Sequence, residues 1–272
     1  MGCAASPPRI PFLALHISPV QEPYTVHRYL LARHVFVCLH GEHAVLLDLR
    51  CDQYLALDAA TADRLTEMVV DWPAQPARPP GQLLAHSAES MEMAIEELVQ
   101  RGLLTTDLLQ GKSAIPVTAP QPLRALMAAS EVRANAIPVP PFLQAARTAA
   151  LLVASGTAAL WLRCFPIHRT VGRVASAGRL AAIERHRFNE TTAHQGVSLF
   201  YQLRPFLFSA RNACLFDSLT LLLFLRRLRL FPQWIFGVRT GPFAAHCWLQ
   251  HEHTVLNDTV DNVRSYTPIM LV

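Results

Sequence analysis

The sequence predicts an α+β protein, in which strands and helices occupy separate stretches of the chain instead of alternating. Three short β-rich runs crowd residues 34–57, a mainly helical stretch covers residues 123–210, and more β-rich runs follow an apolar helix near the C-terminus. Hydrophobic residues make up 51% of the chain and charged residues 16%. That composition is typical of a folded chain with a large core and excludes a disordered one.

The first β-rich stretch reads HVFVCLHGEHAVLLDLRCDQYLAL and predicts a three-stranded meander. Its strands are Val35–Leu39, Ala44–Leu49 and Gln53–Leu57. The segments HGEH and RCD separate them, because both carry residues that favour turns.

Helices on either side of a proline-rich loop follow the meander. The first predicted helix begins at Asp58 or Thr61, since both residue types cap helix N-termini. The second covers residues 87–102, with Ser90 as its N-cap and Gly102 as its stop.

These elements divide the chain into two domains. Three strands and about three helices over residues 20–110 predict a winged-helix-like module. The segment GKSAIPVTAPQP, residues 111–122, predicts a linker, because proline and small residues dominate it. Residues 123–272 then form the second domain, with a helical middle followed by an apolar helix and an antiparallel sheet.

Charge is distributed unevenly between the two parts of the chain. Thirteen acidic and 6 basic residues lie between Glu22 and Asp107, a net charge of −7, whereas 12 arginines and 3 acidic residues between Arg163 and Arg239 give +9. These arginines do not alternate with aromatic residues as nucleic-acid-binding surfaces do. We therefore expect a solvated face or an acidic peptide partner, and no nucleic acid.

The sequence carries no signal for export or for a membrane span. The N-terminus lacks a charged start, and the apolar run at residues 148–162 has 15 residues between two arginines. A span needs about 18 or more, so a buried helix is expected there. The six cysteines form no CxxC pair and no zinc-ligand spacing. A cytoplasmic protein with reduced cysteines and no metal is the prediction.

The stretch NACLFDSLTLLLFLRR, residues 212–227, places Cys214 in the first turn of a leucine-rich helix, just after Asn212 as N-cap. The thiolate is the reactive form of cysteine, and the N-terminus of a helix lowers a thiol pKa. Cys214 is therefore a candidate nucleophile. Asp217, one turn further on, is expected to be stabilised by the helix dipole or to contact substrate.

A base for this nucleophile is expected on a hairpin formed by AAHCWLQHE and HTVLNDTV. If Glu252 is at the centre of its turn, His246 and Asp258 are each six residues away and lie opposite each other on one face. A carboxylate beside an imidazole fixes its tautomer and stabilises the imidazolium. The residues alone leave open whether Cys214 and His246 form a catalytic site or belong to the core.

Residues 212–271 resemble the C-terminal peptidase half of lasso peptide B proteins, which are transglutaminase-like cysteine proteases. The resemblance rests on a cysteine that opens a leucine-rich helix, on GVRTGPFAAHCWLQ, and on the Asn–Asp pair at 257–258. It implies a transglutaminase-like or papain-like core with an antiparallel sheet. The family's catalytic triad falls on Cys214, His246 and Asp258.

Other residues near this pattern carry weaker expectations. Cys247 stands where many relatives have alanine; as the neighbour of His246 it points to the opposite face of the strand and is expected in the core. Arg239 and the TGPF loop are expected to shape the substrate entrance, and Gln202 is a candidate second oxyanion donor.

The N-terminal meander resembles a RiPP recognition element similar to PqqD. Such elements bind a leader peptide as an added strand beside the sheet. The resemblance implies a groove between the third strand and the helix Ser90–Arg101. The residues to which it points are Asp52, Gln53, Tyr54, Leu55 and Leu57, although plain packing is the alternative for Tyr54 and Leu57.

The two resemblances together imply the leader peptidase of lasso peptide biosynthesis, which cuts the leader–core bond of a precursor peptide. They also imply a partner, an ATP-dependent cyclase similar to asparagine synthetase, which closes the macrolactam ring. The chain itself contains neither a P-loop nor GxGxxG, so no cofactor is expected and any ATP is used by the cyclase.

Two alternatives remain open from the sequence. The same Cys-His-Asp chemistry serves acyl transferases, either transglutaminases or arylamine N-acetyltransferase-like enzymes, in which an amine replaces water as the acceptor. The other alternative is a peptide-binding scaffold for the cyclase that has no catalytic activity, with Cys214 as a core residue.

Overall fold

The computed structural model of the chain describes residues 28–41, 43–74, 88–126, 140–180, 188–207 and 214–272. The N-terminal elements are β1 (Leu30–Ala32), β2 (Val35–His40), β3 (His43–Asp48), β4 (Gln53–Leu57), α1 (Ala59–Met68), α2 (Ala88–Gln100), β5 (Leu104–Thr105) and β6 (Gly111–Lys112). The C-terminal elements are β7 (Arg124–Ala125), α3 (Pro141–Cys164), α4 (Ile167–Leu180), α5 (Glu190–Leu207), α6 (Cys214–Arg227), β8 (Gln233–Thr240), β9 (Phe243–His251), β10 (Thr254–Val255), α7 (Val260–Arg264) and β11 (Thr267–Leu271). This order agrees with the predicted mixed fold, in which helices and antiparallel sheets occupy separate stretches.

The strands β2, β3 and β4 form the predicted antiparallel meander, and both of its faces are covered. Side chains alternate between the faces of a strand. Val37 and Leu46 pack in a core with α1 and α2, whereas Cys38 and Val45 pack in a larger core with the C-terminal helices and strands. The two predicted domains therefore share a hydrophobic core across this sheet.

The N-terminal helices keep one predicted cap and lose the other. Asp58 is the N-cap of α1, because its Oδ1 accepts a hydrogen bond from the Thr61 N–H at 3.0 Å. Ser90 lies inside α2, which begins at Ala88, so its prediction as an N-cap is wrong. Gly102 ends α2 with φ +69°, a left-handed conformation that glycine adopts without a Cβ clash.

A second small sheet, in the order β5-β1-β6, occupies part of the predicted linker. Gly111 pairs with Ala32 of β1, and a Cβ at Gly111 would lie 2.5 Å from the Cβ of Leu30. The segment therefore begins as a strand of the N-terminal half, where glycine permits the close approach. Just after its end, Arg124–Ala125 joins the C-terminal sheet by pairing with β10.

The predicted buried helix at residues 148–162 is part of the longer helix α3, and only one stripe of it is buried. Arg147, Leu151, Ala154 and Ala158 form that stripe, and α3 packs against α6. Leu152, Val153 and Leu160 on the other side are about half exposed. By length and composition α3 could also cross a membrane, with a mean hydropathy of 1.3, but a single helix of this kind is weak evidence for a span.

The C-terminal sheet has the order β11-β8-β9-β10-β7. Its pairs are antiparallel except for β10 and β7, which are parallel. Helix α6 packs against β8 and β9. The N-terminal meander contacts this sheet through β2, where the His40 Nδ1 lies 2.8 Å from the Thr267 Oγ1 of β11.

Candidate active site

Cys214 is the first residue of α6, as the sequence predicts. The predicted cap Asn212 lies outside the described residues. Leu219, Leu221 and Leu222 of the same helix are fully buried, so the core fixes the axis of the helix and the place of its N-terminus. The Cys214 side chain is half-buried and opens onto a cavity of about 550 Å³.

His246 of β9 and Asp258 are brought together as predicted, through a hydrogen bond between the imidazole Nε2 and a carboxylate oxygen. The predicted reason for this contact is wrong. His251 pairs with Thr254, which shifts the hairpin by one residue, and β10 already ends at Val255. Asp258 is therefore a loop residue between β10 and α7 and not a cross-strand partner.

Hydrogen bonds hold this loop in place. The side-chain oxygen of Asn257 accepts from the Leu249 N–H of β9 at 2.8 Å, which pins the loop to the strand. The Asp258 carboxylate accepts from the Thr259 N–H at 2.6 Å and from the Asn262 amide at 2.9 and 3.1 Å. Asn257 thus anchors the loop, while Asp258 is oriented toward the imidazole.

Cys247 lines the same cavity as Cys214. It is buried as predicted, with 3% exposure, and belongs to the hydrophobic core. Hydrogen bonding from the side chain and the main-chain N–H of Cys247, and from His246, lowers the pKa of the Cys214 thiol. Helix α6, which begins with Cys214, packs against β9, so both cysteines face one cavity.

The charges of the site favour a thiolate beside an imidazolium. The hydrogen bond from the Cys247 thiol lowers the pKa of Cys214. Burial raises it, and the His246 ring lowers it again, so that the resulting pKa is about 4. Burial alone would lower the pKa of His246, but Asp258 and the Cys214 sulfur raise it to about 9. Burial would likewise raise the pKa of Asp258, and the hydrogen bonds from His246, Thr259 and Asn262 lower it.

We expect Cys214 to react with iodoacetamide at a rate that stays nearly constant down to about pH 5 and falls as the thiolate is protonated near pH 4. As the pH is lowered, an ordinary thiol is already protonated near pH 8.5. The measurement is the alkylation rate of Cys214 against pH, followed by peptide mass spectrometry, with glutathione as the control thiol. A midpoint near that of glutathione would contradict the ion pair.

An ion pair that the sequence analysis missed also lines the cavity. Arg204 of α5 lies 2.5 Å from the carboxylate of Asp217, whose side chain is only 12% exposed. Burial raises the pKa of Asp217, and Arg204 counteracts that rise. A charged residue in an apolar helix implies a partner, but the sequence does not show which arginine reaches it. The prediction that the helix dipole stabilises Asp217 therefore leaves out the main contact of its carboxylate, which is with Arg204.

Arg204→Met is expected to lower the free energy of unfolding at pH 7 by about 1–3 kcal/mol, because it leaves a buried carboxylate without its cation. The partial exposure of Arg204, at 41%, keeps the loss below that of a fully buried pair. Urea titration measures the effect. The double variant Arg204→Met/Asp217→Asn should recover part of the loss, and equal stability of the single variant and the wild type would contradict this role.

The predicted entrance residues lie near the triad. Arg239 packs over the ring of Tyr266, which lies 5.1 Å from the His246 ring and lines the cavity. Phe243 of the TGPF loop contacts Tyr54 of β4 at 5.6 Å between ring centroids. Gln202 is exposed on α5 and is not among the residues that line the cavity, so its prediction as an oxyanion donor receives no support.

Of the five predicted leader-binding residues, four lie in β4 and one lies in the turn before it. Asp52 is in the preceding turn with φ +54°, and Asp52 and Gln53 are both exposed. Tyr54 and Leu55 are half-buried on opposite faces, and the side chain of Leu57 is buried in the N-terminal core. Leu57 is thus a packing residue, and any contact that it makes with a peptide involves its main chain.

Residues 152–271 match the family profile of the transglutaminase-like superfamily. This range begins in α3, ends in β11 and contains Cys214, His246 and Asp258. The C-terminal part of the chain is therefore a transglutaminase-like domain, a class that generally has cysteine-protease-type activity.

No PqqD-like or lasso peptide family was matched by the chain. No curated protein and no solved structure gave a match either. Among the described residues, no cluster of three or more His, Cys, Asp or Glu side chains could hold a metal ion.

Proposed function

We propose that this protein is the leader peptidase of lasso peptide biosynthesis. It binds the leader of a precursor peptide and hydrolyses the leader–core bond with Cys214, His246 and Asp258. The observation that supports this most directly is the contact between the two halves of the chain. The ring of Tyr54 lies on β4, which has one unpaired edge among the described residues. This ring contacts Phe243, whose neighbours Ala244 and Ala245 line the cavity of the triad.

In this mechanism the Cys214 thiolate attacks the carbonyl carbon of the last leader residue. A C–S bond forms, and the main-chain N–H of Cys214, in the first turn of α6, stabilises the oxyanion. The His246 imidazolium donates its proton to the leaving α-amine of the core, and the C–N bond breaks. Neutral His246 then takes a proton from water, whose oxygen attacks the thioester and releases the leader.

Asp258 keeps the imidazole of His246 in place throughout these steps. Its carboxylate accepts a hydrogen bond from His246 while Thr259 and Asn262 fix its other contacts. The negative charge stabilises the imidazolium that exists both in the resting ion pair and after water is activated.

The leader is proposed to add to β4 as a further strand. Among the described residues β4 pairs with β3 alone, so its other edge is available for main-chain hydrogen bonds. Tyr54 lies at the N-terminal end of β4, and its contact with Phe243 makes this the end of the strand that is nearer the cavity. Because the C-terminal end of the leader has to reach Cys214, the leader would run antiparallel to β4.

The freed α-amine of the core is the nucleophile that a macrolactam-forming partner requires. Joining it to a side-chain carboxylate needs activation of that carboxylate, which the family resemblance assigns to an asparagine synthetase-like cyclase that uses ATP. The proposed role of this chain ends with the release of the core.

The experiment that tests the reaction is mass spectrometry of the precursor peptide encoded beside the protein, incubated in ¹⁸O-labelled water with and without the cyclase and ATP. A peptidase cuts at one junction and leaves the label in the new carboxylate of the leader. An acyl transferase instead yields an amide or ester of the leader without the label. Binding without any cleavage would favour a scaffold and overturn the peptidase proposal.

The leader site has its own test in hydrogen exchange of the Cys214→Ala protein. Added leader peptide is expected to slow the exchange of the amides of β4, residues 53–57, because new strand hydrogen bonds protect them. The amides of α4, residues 167–180, serve as the control and should not change. Protection confined to other elements would exclude β4 as the docking edge.

A further inference from the structure

Cys247 is a buried thiol that the proposed cleavage steps do not use. Its sulfur lies 3.3 Å from the Ser218 Oγ. The single proton of Ser218 goes to the Cys214 carbonyl oxygen at 2.6 Å, and its oxygen accepts from the Trp234 indole N–H at 2.9 Å. Cys247 therefore keeps its own proton, which it donates to Ser218 or to the Cys214 sulfur.

The two thiols differ in access and in ionisation. Both cysteines line the cavity, but Cys214 is half-buried whereas Cys247 is only 3% exposed. Burial, above all, raises the pKa of Cys247, while that of Cys214 is lowered. A small oxidant from solvent therefore meets the thiolate of Cys214 first, with a protonated thiol in contact with its sulfur.

We propose that Cys214 and Cys247 form a reversible oxidation site for peroxides, in which Cys247 closes a disulfide that protects Cys214 from irreversible oxidation. This inference goes beyond leader cleavage, because it does not depend on the substrate. It depends on two cysteines that line one cavity and on the Ser218 hydroxyl between them, which bonds the Cys214 carbonyl oxygen and lies 3.3 Å from the Cys247 sulfur.

The chemistry has two balanced steps. The Cys214 thiolate attacks one peroxide oxygen, so an S–O bond forms and the O–O bond breaks. The sulfur loses two electrons to give a sulfenic acid, and the other oxygen leaves as hydroxide, which takes the proton of the His246 imidazolium to become water. The Cys247 sulfur then attacks the Cys214 sulfur. The S–S bond forms, the S–O bond breaks, and the hydroxide leaves with the Cys247 proton as water. A dithiol reductant reduces this disulfide to the two thiols by exchange and is itself oxidised to a disulfide.

The disulfide would also stop catalysis, since it removes the thiolate. Without Cys247 the sulfenic acid remains open to the cavity, where a second peroxide converts it to a sulfinic acid that thiols do not reduce. Cys247 thus exchanges a permanent loss of the nucleophile for a reversible one.

The test treats the full chain with a small excess of hydrogen peroxide, blocks the remaining thiols and maps tryptic peptides without reduction. Residues 212–226 and 240–264 are tryptic peptides with one cysteine each, so a link between them identifies the Cys214–Cys247 disulfide. The expected result is this linked pair and its disappearance after dithiothreitol. Cys214 recovered as sulfinic acid, or linked to another cysteine, would overturn the proposal.

Two variants extend the test. Cys247→Ser keeps a hydrogen-bond donor beside Cys214 but cannot form the disulfide, and Cys164→Ala removes an exposed cysteine on α3. The measured quantity is the alkylation of Cys214 by iodoacetamide after peroxide and dithiothreitol, divided by the alkylation of the same protein before treatment. We expect this recovered fraction to be roughly tenfold smaller in Cys247→Ser than in the wild type. Cys164→Ala should recover like the wild type. Equal recovery of Cys247→Ser and wild type would refute the protective role, and the linked peptide in the wild type does not depend on the folding of either variant.

Discussion

Cys214→Ala is expected to lower the kcat/KM for precursor cleavage by about 10⁴-fold or more, because the nucleophile of the proposed reaction is removed. The cavity offers no substitute. Ser218, one turn further along α6, is fully buried, and its proton is bonded to the Cys214 carbonyl oxygen. Cys247 is only 3% exposed, and burial raises its pKa so that it stays protonated. Quantitative mass spectrometry of leader and core against time measures the effect.

The matched control for this variant is Cys164→Ala, the same substitution at an exposed cysteine at the end of α3. It should cleave at the wild-type rate. Fluorescence anisotropy with a labelled leader should give the same Kd for Cys214→Ala and the wild type, since β4 is not altered. If Cys214→Ala binds the leader and still cuts the precursor, Cys214 is not the nucleophile and its role is structural.

The parts of the fold that the sequence predicts are those with enough residues to show a period. The meander alternates over strands of five and six residues, and α6 has an apolar run of a length that a buried helix requires. Strands β1, β5, β6, β7 and β10 have two or three residues. Such strands are too short to show alternation. Except for β10, which forms a hairpin with β9, their partners lie far away in sequence, so tertiary contacts define them.

The candidate site shows a correct contact predicted for an incorrect reason. The prediction centres the hairpin on Glu252, whereas the observed turn pairs His251 with Thr254. A slip of one residue moves every side chain of a strand to the other face. Had β10 continued as a strand, Asp258 would point away from His246. The chain instead leaves the sheet after Val255, and the hydrogen bonds of the loop restore the contact.

The alternation of side chains along a strand does not predict which of them reach a neighbouring helix. It places His246 and Cys247 on opposite faces of β9, yet both line the cavity onto which Cys214 opens. Arg204 was missed for a related reason. Its helix α5 precedes α6 by a few residues, and no periodicity in either helix defines how the two pack against each other.

Asp258→Asn is expected to lower the kcat/KM for cleavage by about 10²- to 10⁴-fold while the protein stays folded. The amide can donate a hydrogen bond where the carboxylate only accepts, so it favours the wrong tautomer of His246. It also removes the charge that raises the pKa of His246 to about 9. The alkaline limb of the rate profile, where His246 loses the proton that it gives to the leaving amine, should therefore move to lower pH.

That shift separates an electrostatic role from a merely structural one. Loss of folded protein would lower the rate at every pH and leave the position of the limb unchanged. Asp261→Asn makes the same substitution on an exposed residue of α7 and should leave both rate and limb unchanged. With His246 less charged, the Cys214 thiolate also loses stabilisation, so its pKa should rise and the acid limb should move to higher pH. A profile narrowed from both sides is the result that the Cys214–His246–Asp258 arrangement requires, and an unshifted profile would contradict it.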